Sequence, residues 1–470
     1  MNWFKSLHGK KKAHPSYFDC FASCQSRHPQ RSKQYLSNWL VSRVEVEFSL
    51  KPAPGRVRVF SHPVRSTWRN WKNQKSSDQH LTLLLFLEKS MKTKKVCLSY
   101  GMGVESTLVL VRFLLEAAIR TFDLKDLIVM TSMTGNEWNS TKMYVTQFVL
   151  PLLRQFEVRY VQVAKAGPSE KDGIVVLSDT RKPDRLYIEG AYTIQQELSV
   201  AGTLPMWRPY SRFCSSKFKA KILDSWVEQE LKGAEYRHIL GFNSEELDRA
   251  ERDHSYTTET RKSEHPMIEW GWNRERAIQY LKEAFGIIWP KSCCAICPFS
   301  DGKIETLQRY ANEPEAAMLT LQMEWVAIAL NPKMALFPSG SLREALIVNG
   351  FEHLVDQMEA AISLLPWRIY QVRRIRQSKR VVHRKIDHIA EGARAEMQAA
   401  LKSLASEKQC PITYEGGIPR FYVERRDENH PLEDMYVAAP AVVAEKSRAK
   451  FSQHWDLRKN ERWLFPEIAA

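Results

Sequence analysis

The sequence has no apolar run long enough to span a bilayer, and its first residues lack the apolar core of a signal peptide. The expectation is a cytoplasmic chain without a membrane partner. Cysteine is scarce. Eight in 470 residues do not make a disulfide framework, and in a reducing compartment a clustered subset points to metal instead. Acidic residues are outnumbered, leaving a net charge of +15. That excess points to a polyanionic partner, nucleic acid first, because nothing lipid-directed accompanies it; an ordinary basic protein that binds only nucleotides is the plainer reading. No internal repeat or low-complexity segment is present, and the length exceeds a single core, so two or three domains are expected.

The most informative stretch present is Ser99-Tyr100-Gly101-Met102-Gly103-Val104-Glu105-Ser106-Thr107. It follows the apolar run Val96-Cys97-Leu98 and opens into an amphipathic run from Leu108 to Leu115. A strand that breaks at glycines and restarts as a helix points unpaired N–H groups and a positive dipole end at one place, which suits phosphate. Gly101 and Gly103 allow the turn, while Ser99, Ser106 and Thr107 offer hydroxyls. No Lys precedes Ser106, so this is not a Walker loop; a mere tight strand-to-helix turn is the bland alternative.

From about residue 93 to 290, strand candidates Lys95–Ser99, Leu127–Thr131, Arg159–Ala164 and His238–Gly241 alternate with helix candidates. The latter are Glu105–Ala118, Thr141–Phe156, Phe218–Leu231 and Arg274–Phe285. This predicts an α/β fold, a parallel sheet with helices on both faces, its ligand at the carboxyl ends of the strands. Residues 165–213 read as a loop or lid.

The glycine stretch resembles the pyrophosphate-binding loop of the PP-loop ATP pyrophosphatases, in the variant found in phosphoadenosine phosphosulfate (PAPS) reductase-like proteins. Four further stretches resemble elements of that family in order: Thr134-Gly135-Asn136-Glu137-Trp138, Arg212 to Lys219, Gly241 to Arg249, and Ser292 to Phe299. Met133 replaces the family's Asp, and Glu105 stands where many members have Asp. The likeness covers roughly residues 93–345. It implies an adenine nucleotide alpha hydrolase-like fold that binds ATP with Mg2+ and joins AMP to an acceptor as pyrophosphate leaves. Residues 99–107 (Ser99, Tyr100, Gly101, Met102, Gly103, Val104, Glu105, Ser106 and Thr107) would hold the nucleotide, joined by Gly135 and Glu137. Lys219, Glu246 and Arg249 would be catalytic, each with a surface ion pair as its bland alternative.

Cys294 and Cys297 form Cys-x-x-Cys before Pro298, and Cys214 lies in a matching element. Thiolates select iron–sulfur clusters or zinc. The resemblance implies a 4Fe-4S cluster on Cys214, Cys294 and Cys297, with an iron site left open for sulfur; structural zinc is the serious alternative, and Cys293 an alternative ligand. The sulfur donor would be sulfide or a cysteine desulfurase. The C-terminal Glu-Cys-Gly-Leu-His motif of the sulfonucleotide reductases is missing, so PAPS reduction itself is disfavoured. The resulting expectation is AMP-forming activation coupled to sulfur transfer on nucleic acid, resembling DNA phosphorothioation or tRNA thiolation. A non-catalytic nucleic-acid-binding subunit of a phage-defence or mobile-element protein complex is the alternative.

The flanks divide into a basic N-terminal region (1–92), a helical region (301–390) after the nucleotide domain (93–300), and a C-terminal region (391–470) without a readable motif. In the first, Arg65, Trp68, Arg69, Trp71 and Lys72 read equally as a base-stacking stretch or a half-buried helix, and Cys20 and Cys24 as incidental thiols. Helices are expected at Ile304–Ala311, Pro314–Ala329 and Leu342–Leu365. Pro366 to His388 carries eight Arg or Lys against one acid. As a helix it would place Arg373, Arg376, Arg380 and Arg384 on one face, a candidate nucleic-acid stripe.

Overall fold

The computed structural model describes residues 94–207, 212–377, 380–426 and 431–464. The readings made on residues 1–92, their cations, tryptophans, Cys20 and Cys24, lie outside that set. The compact unit described here comprises Thr93–Gln279 and Ile288–Ala470.

Its first half is an α/β layer built on a mixed, mostly parallel six-stranded sheet. The strands are β1 (Lys95–Ser99), β2 (Leu127–Met133), β3 (Arg159–Lys165), β4 (Ile174–Thr180), β5 (Tyr236–Ile239) and β6 (Arg261–Glu264), in the order β4-β3-β2-β1-β5-β6. Only β4 runs antiparallel, pairing with β3 as a hairpin. It falls in the stretch expected to be a lid. Both faces of the sheet are covered. Cys97, Ile128, Met130, Val161 and Val163 pack against Ile222, Leu223, Trp226 and Val227 of one helix (Lys221–Leu231), while the alternate residues Val96, Leu98 and Val129 are also buried. Near-continuous burial of this kind explains why these strands read as plain apolar runs.

Helix α1 (Val104–Leu115) follows β1 directly. Helix α2 (Asn139–Tyr144) passes through a π-turn (Val145–Val149) into α3 (Leu150–Gln155), and α4 (Ile194–Ala201) is closed at its start by a capping box on Thr193. A second π-turn, Ser216–Ala220, leads into α5 (Lys221–Leu231). Next come α6 (Leu247–His254) after β5 and α7 (Arg274–Phe285) after β6.

Beyond Cys297, α8 (Ile304–Asn312) and α9 (Pro314–Leu330) fall where expected. The long helix expected next is two, α10 (Leu342–Val348) and α11 (Glu352–Ser363), broken at Asn349-Gly350. The basic run is not helical. It forms the hairpin β7 (Trp367–Gln377) and β8 (Arg380–Gly392), whose Ile369, Val372, Ile375, Val381 and Ile386 favour a pleated backbone. Then follow α12 (Arg394–Glu407), β9 (Thr413–Glu415), β10 (Ile418–Glu424), β11 (Leu432–Pro440) and α13 (Phe451–Leu464). β7 to β11 form a five-stranded antiparallel sheet in the order β8-β7-β11-β10-β9, so the expected boundary at residue 390 falls inside β8. One large core joins this sheet to α9, through Leu321, Ala327, Leu330, Trp367, Val372, Phe421 and Val437. Among the described residues no helix is long and apolar enough to cross a membrane.

Candidate functional site

The chain reverses direction across the sheet at β1. β2, β3 and β4 extend to one side of it, and β5 and β6 to the other. In an open α/β sheet such a switch point leaves a crevice beyond the carboxyl ends of the two strands, here β1 and β5. The glycine stretch emerges there, along with Gly241 at the end of β5.

The turn is held from several sides. Tyr100 N donates to Met130 O (2.7 Å), Thr131 Oγ1 to Tyr100 O (2.9 Å), and Trp289 Nε1 to Met102 O (3.1 Å). The left-handed step falls on Met102 (φ 59°), not on a glycine. That conformation is costly for a side chain and persists where the surroundings fix it, here by burial of Met102 and the Trp289 bond to its carbonyl. Gly103 has φ −86° and serves as the N-cap of α1, where no side chain caps the first turn. A Cβ on Gly103 would lie 2.5 Å from Ser292 Oγ. At Gly241 the neighbours are backbone and cannot swing away: a Cβ there would stand 2.8 Å from Ser106 N and 3.0 Å from Glu105 C. The two strand ends therefore meet at the start of α1.

Not every residue of the stretch faces this crevice. Tyr100, Met102, Val104 and Thr107 are buried, and Thr107 Oγ1 donates to Tyr100 Oη (3.3 Å), so both hydroxyls are spent internally. Ser106 Oγ donates weakly to Gly103 O (3.4 Å). The Glu105 carboxylate is ion-paired with Arg274. Ser99 hydrogen-bonds His238 of β5. A buried chain continues from there: Arg261 Nε donates to His238 Nδ1 (2.8 Å), Arg261 Nη2 to Asp253 Oδ1 (2.6 Å), and Asp253 Oδ2 lies 3.1 Å from His265 Nε2. Burial, then the Arg261 charge, pushes His238 down to about 3. Sequence reading missed His238, Arg261, Asp253 and His265, because only the pairing of β5 with β1 and β6 joins them to Ser99.

A second group of polar side chains forms at the end of β2. Glu137 is buried; its Oε1 accepts from Thr134 Oγ1 (3.1 Å) and Lys219 Nζ (3.4 Å), while its Oε2 is buried with no hydrogen-bond partner. Glu137 raises the pKa of Lys219 against its burial and keeps it charged. The backbones of Glu137 and Cys294 form an isolated bridge, and Ala295 N donates to Asn136 O (2.8 Å). Arg309, another residue missed in sequence, stacks over Trp138 at 4.5 Å and donates to Ser140 Oγ and Thr141 Oγ1. Gly135 serves packing: a Cβ there would lie 2.2 Å from Thr193 Cγ2.

The cysteines gather only in part. Cys293 and Cys294 both hydrogen-bond Cys297. The Cys293 bond favours the Cys297 thiolate, but the Cys294 bond and burial outweigh it and push that thiol up to about 12. Cys214 packs, like Cys293 and Cys294, on the large apolar core. Among the described residues no three or more His, Cys, Asp or Glu side chains are grouped to hold a metal.

Glu246 and Arg249 follow β5 and pair with each other, with Arg249 4.3 Å over the Phe242 ring. No hydrogen bond or ion pair among those described joins them to Lys219. The basic stripe is corrected. Arg373 lies opposite Lys385 and Arg374 opposite Arg384, so Arg373 and Arg384 point to opposite faces of the sheet. Arg373 pairs with Asp387 (2.8 Å), Arg376 with Glu433 (3.8 Å), and Arg384 donates to Ala201 O (2.7 Å). Arg380 opens β8.

Comparison with family models, with curated proteins and with solved structures finds no match to this chain.

Proposed function

We propose that this chain is a PP-loop ATP pyrophosphatase of the PAPS reductase-like kind, which activates an acceptor on nucleic acid with AMP and exchanges that AMP for sulfur. One observation carries the reading. The uncapped start of α1 lies at the β1/β5 switch point, with the Gly241 backbone pressed against Ser106. Such a place supplies N–H donors and a positive dipole to a phosphate chain.

In this reading an acceptor oxygen attacks the α-phosphorus, the bond to the bridging oxygen breaks, and pyrophosphate carries away the electron pair. Sulfide then displaces AMP as the leaving group; where a desulfurase persulfide attacks instead, a thiol reductant must cleave the resulting disulfide to release the thiolated product. The first-turn amides and the Ser99 hydroxyl would hold the departing pyrophosphate, and Lys219 would offset its charge. Mg2+, bound with the triphosphate, would share that charge. No step of this reading depends on a cluster.

Pyrophosphate release tests this, with ATP, Mg2+ and candidate DNA or RNA supplied to the whole chain. Release that Ser99→Ala and Lys219→Met diminish supports the reading; folded protein that neither binds nor cleaves ATP overturns it. Iron and acid-labile sulfide in anaerobically prepared protein would support the cluster, and stoichiometric zinc a structural site instead. The pairing of Glu105 with Arg274 favours a second reading, a nucleic-acid-binding subunit without turnover, because it removes a carboxylate from metal duty. ATP binding without pyrophosphate release would select that reading.

A further inference from the structure

The antiparallel sheet carries a cationic cavity of about 370 Å3 next to the C-terminal end of α9. Lys333, Arg376, Arg425 and Arg426 line it, against two carboxylates, Glu415 and Glu433. Both carboxylates are already engaged. Glu433 pairs with Arg374, and Glu415 accepts from Tyr422 Oη (2.6 Å) and Arg425 (2.7 Å) and lies 3.7 Å from Arg420.

Arg374 and Arg420 are themselves buried, with side chains 2 % and 0 % exposed. They donate to the last carbonyls of α9: Arg374 to Leu330 O, and Arg420 to Ala329 O and Ile328 O, both at 3.1 Å. The negative end of the helix is therefore also neutralised. What remains in the cavity is excess positive charge.

Arg376 is the telling residue. Its side chain is 9 % exposed, its link to Glu433 is loose at 3.8 Å, and its Nε is buried with no hydrogen-bond partner. A guanidinium so placed has lost water without gaining a full set of acceptors, and an oxyanion with several lone pairs would complete it. Lys333 and Arg425 are exposed at the rim, and Arg425 lies over the Tyr422 ring at 4.9 Å. The volume exceeds what a bare phosphate fills and suits a sugar-phosphate unit.

We propose that this cavity binds a backbone phosphate of a nucleic-acid strand. The inference rests on the nucleic-acid part of the proposed function and is independent of its ATP chemistry. The probe is a fluorescently labelled single strand of about 20 nucleotides, DNA and RNA in turn, followed by anisotropy over a salt series. Lys333→Gln alters an exposed side chain and Arg376→Gln the buried one; circular dichroism and the melting temperature confirm that each folds. Each variant should weaken binding about three- to tenfold and shrink the log–log salt slope by roughly 0.7. Lys333→Arg should restore both.

A wild-type chain that binds the strand, with folded variants unchanged in affinity and slope, would overturn the pocket and leave the nucleic-acid reading standing. Failure of the wild type to bind either strand overturns both. Saturable binding of inorganic phosphate, abolished by Arg376→Gln, without strand binding would make this a small-anion site and overturn the proposed occupant.

Discussion

Ser99 Oγ and His238 Nε2 lie 2.8 Å apart across the β1/β5 pair, and the direction of that bond is set from behind. Arg261 has no acceptor and donates to His238 Nδ1. The imidazole must therefore carry its proton on Nε2 and donate it to Ser99. The Ser99 hydroxyl proton is left to point elsewhere, which makes Ser99 a donor and not an activated nucleophile. Under the proposed function, His238→Leu should weaken ATP binding about as much as Ser99→Ala, and the double variant should lose little more. Titration calorimetry of the three proteins measures that coupling.

The same network predicts acid sensitivity. Buried His238 has its pKa lowered to about 3 from 6.5, so between those values the unfolded chain binds the extra proton. Stability is fully present above pH 6.5 and is lost as pH falls towards 3, by about 2 kcal/mol between pH 7 and 5. Asp253, also held low by His265 and Arg261 against its own burial, adds to the loss at the acid end. Urea unfolding across this range should show a shallower slope in His238→Gln; an unchanged slope would assign the acid loss elsewhere.

Two of the glycines around the turn, Gly101 and Gly241, should respond differently. Gly101→Ala meets nothing closer than Ser106 Oγ at 4.0 Å and should be nearly silent. Gly241→Ala forces a Cβ onto the backbone of Glu105 and Ser106. It should cost about 1–3 kcal/mol and shift the start of α1. Thermal unfolding of the pair checks this, and equal melting temperatures would contradict the close approach.

Lys219 is kept charged chiefly by Glu137. Lys219→Met should slow pyrophosphate release by a factor on the order of 100, and Lys219→Arg should recover part of it. Equal rates in all three proteins would remove Lys219 from the reaction.

Arg420 should matter for stability. Truncating it to Ala leaves the Ile328 and Ala329 carbonyls of α9 without their donor and opens a cavity in the core, while Glu415 keeps Tyr422 and Arg425. The expected loss is about 2–4 kcal/mol by denaturant unfolding. A change below about 1 kcal/mol would mean that water reaches those carbonyls.

Local pattern carried the first half of the fold. Lys95–Ser99 is a strand over the residues expected, and α1 follows the glycine turn, because a short apolar run, a break and a 3.6-residue period are properties of neighbouring residues. The placement of the Thr134 to Trp138 segment beside Lys219 and Cys294 was not legible in the order of the motifs, since it depends on chain segments some eighty and more residues apart meeting at the end of β2. The basic run failed because the deciding contacts are not local. Arginines spaced by three and four suit a helix face, yet strand pairing on both sides of β7 decides otherwise, and β11, which supplies one side, lies about sixty residues away. The hairpin partner β4 was missed because its half-buried residues lack a clean alternation.

The sequence by itself determined the α/β class of the first half, the glycine turn and the cationic excess, since each is written in composition or short-range order. Tertiary structure alone decided that Tyr100 and Thr107 turn inward, that His238 and Arg261 orient Ser99, and that Arg374 and Arg420 cap a helix while Arg376 lines a cavity. The reason is that a side chain's partners are set by which strands pair and which helix ends abut them. Such contacts join residues more than a hundred positions apart, as Ser99 and His238 are.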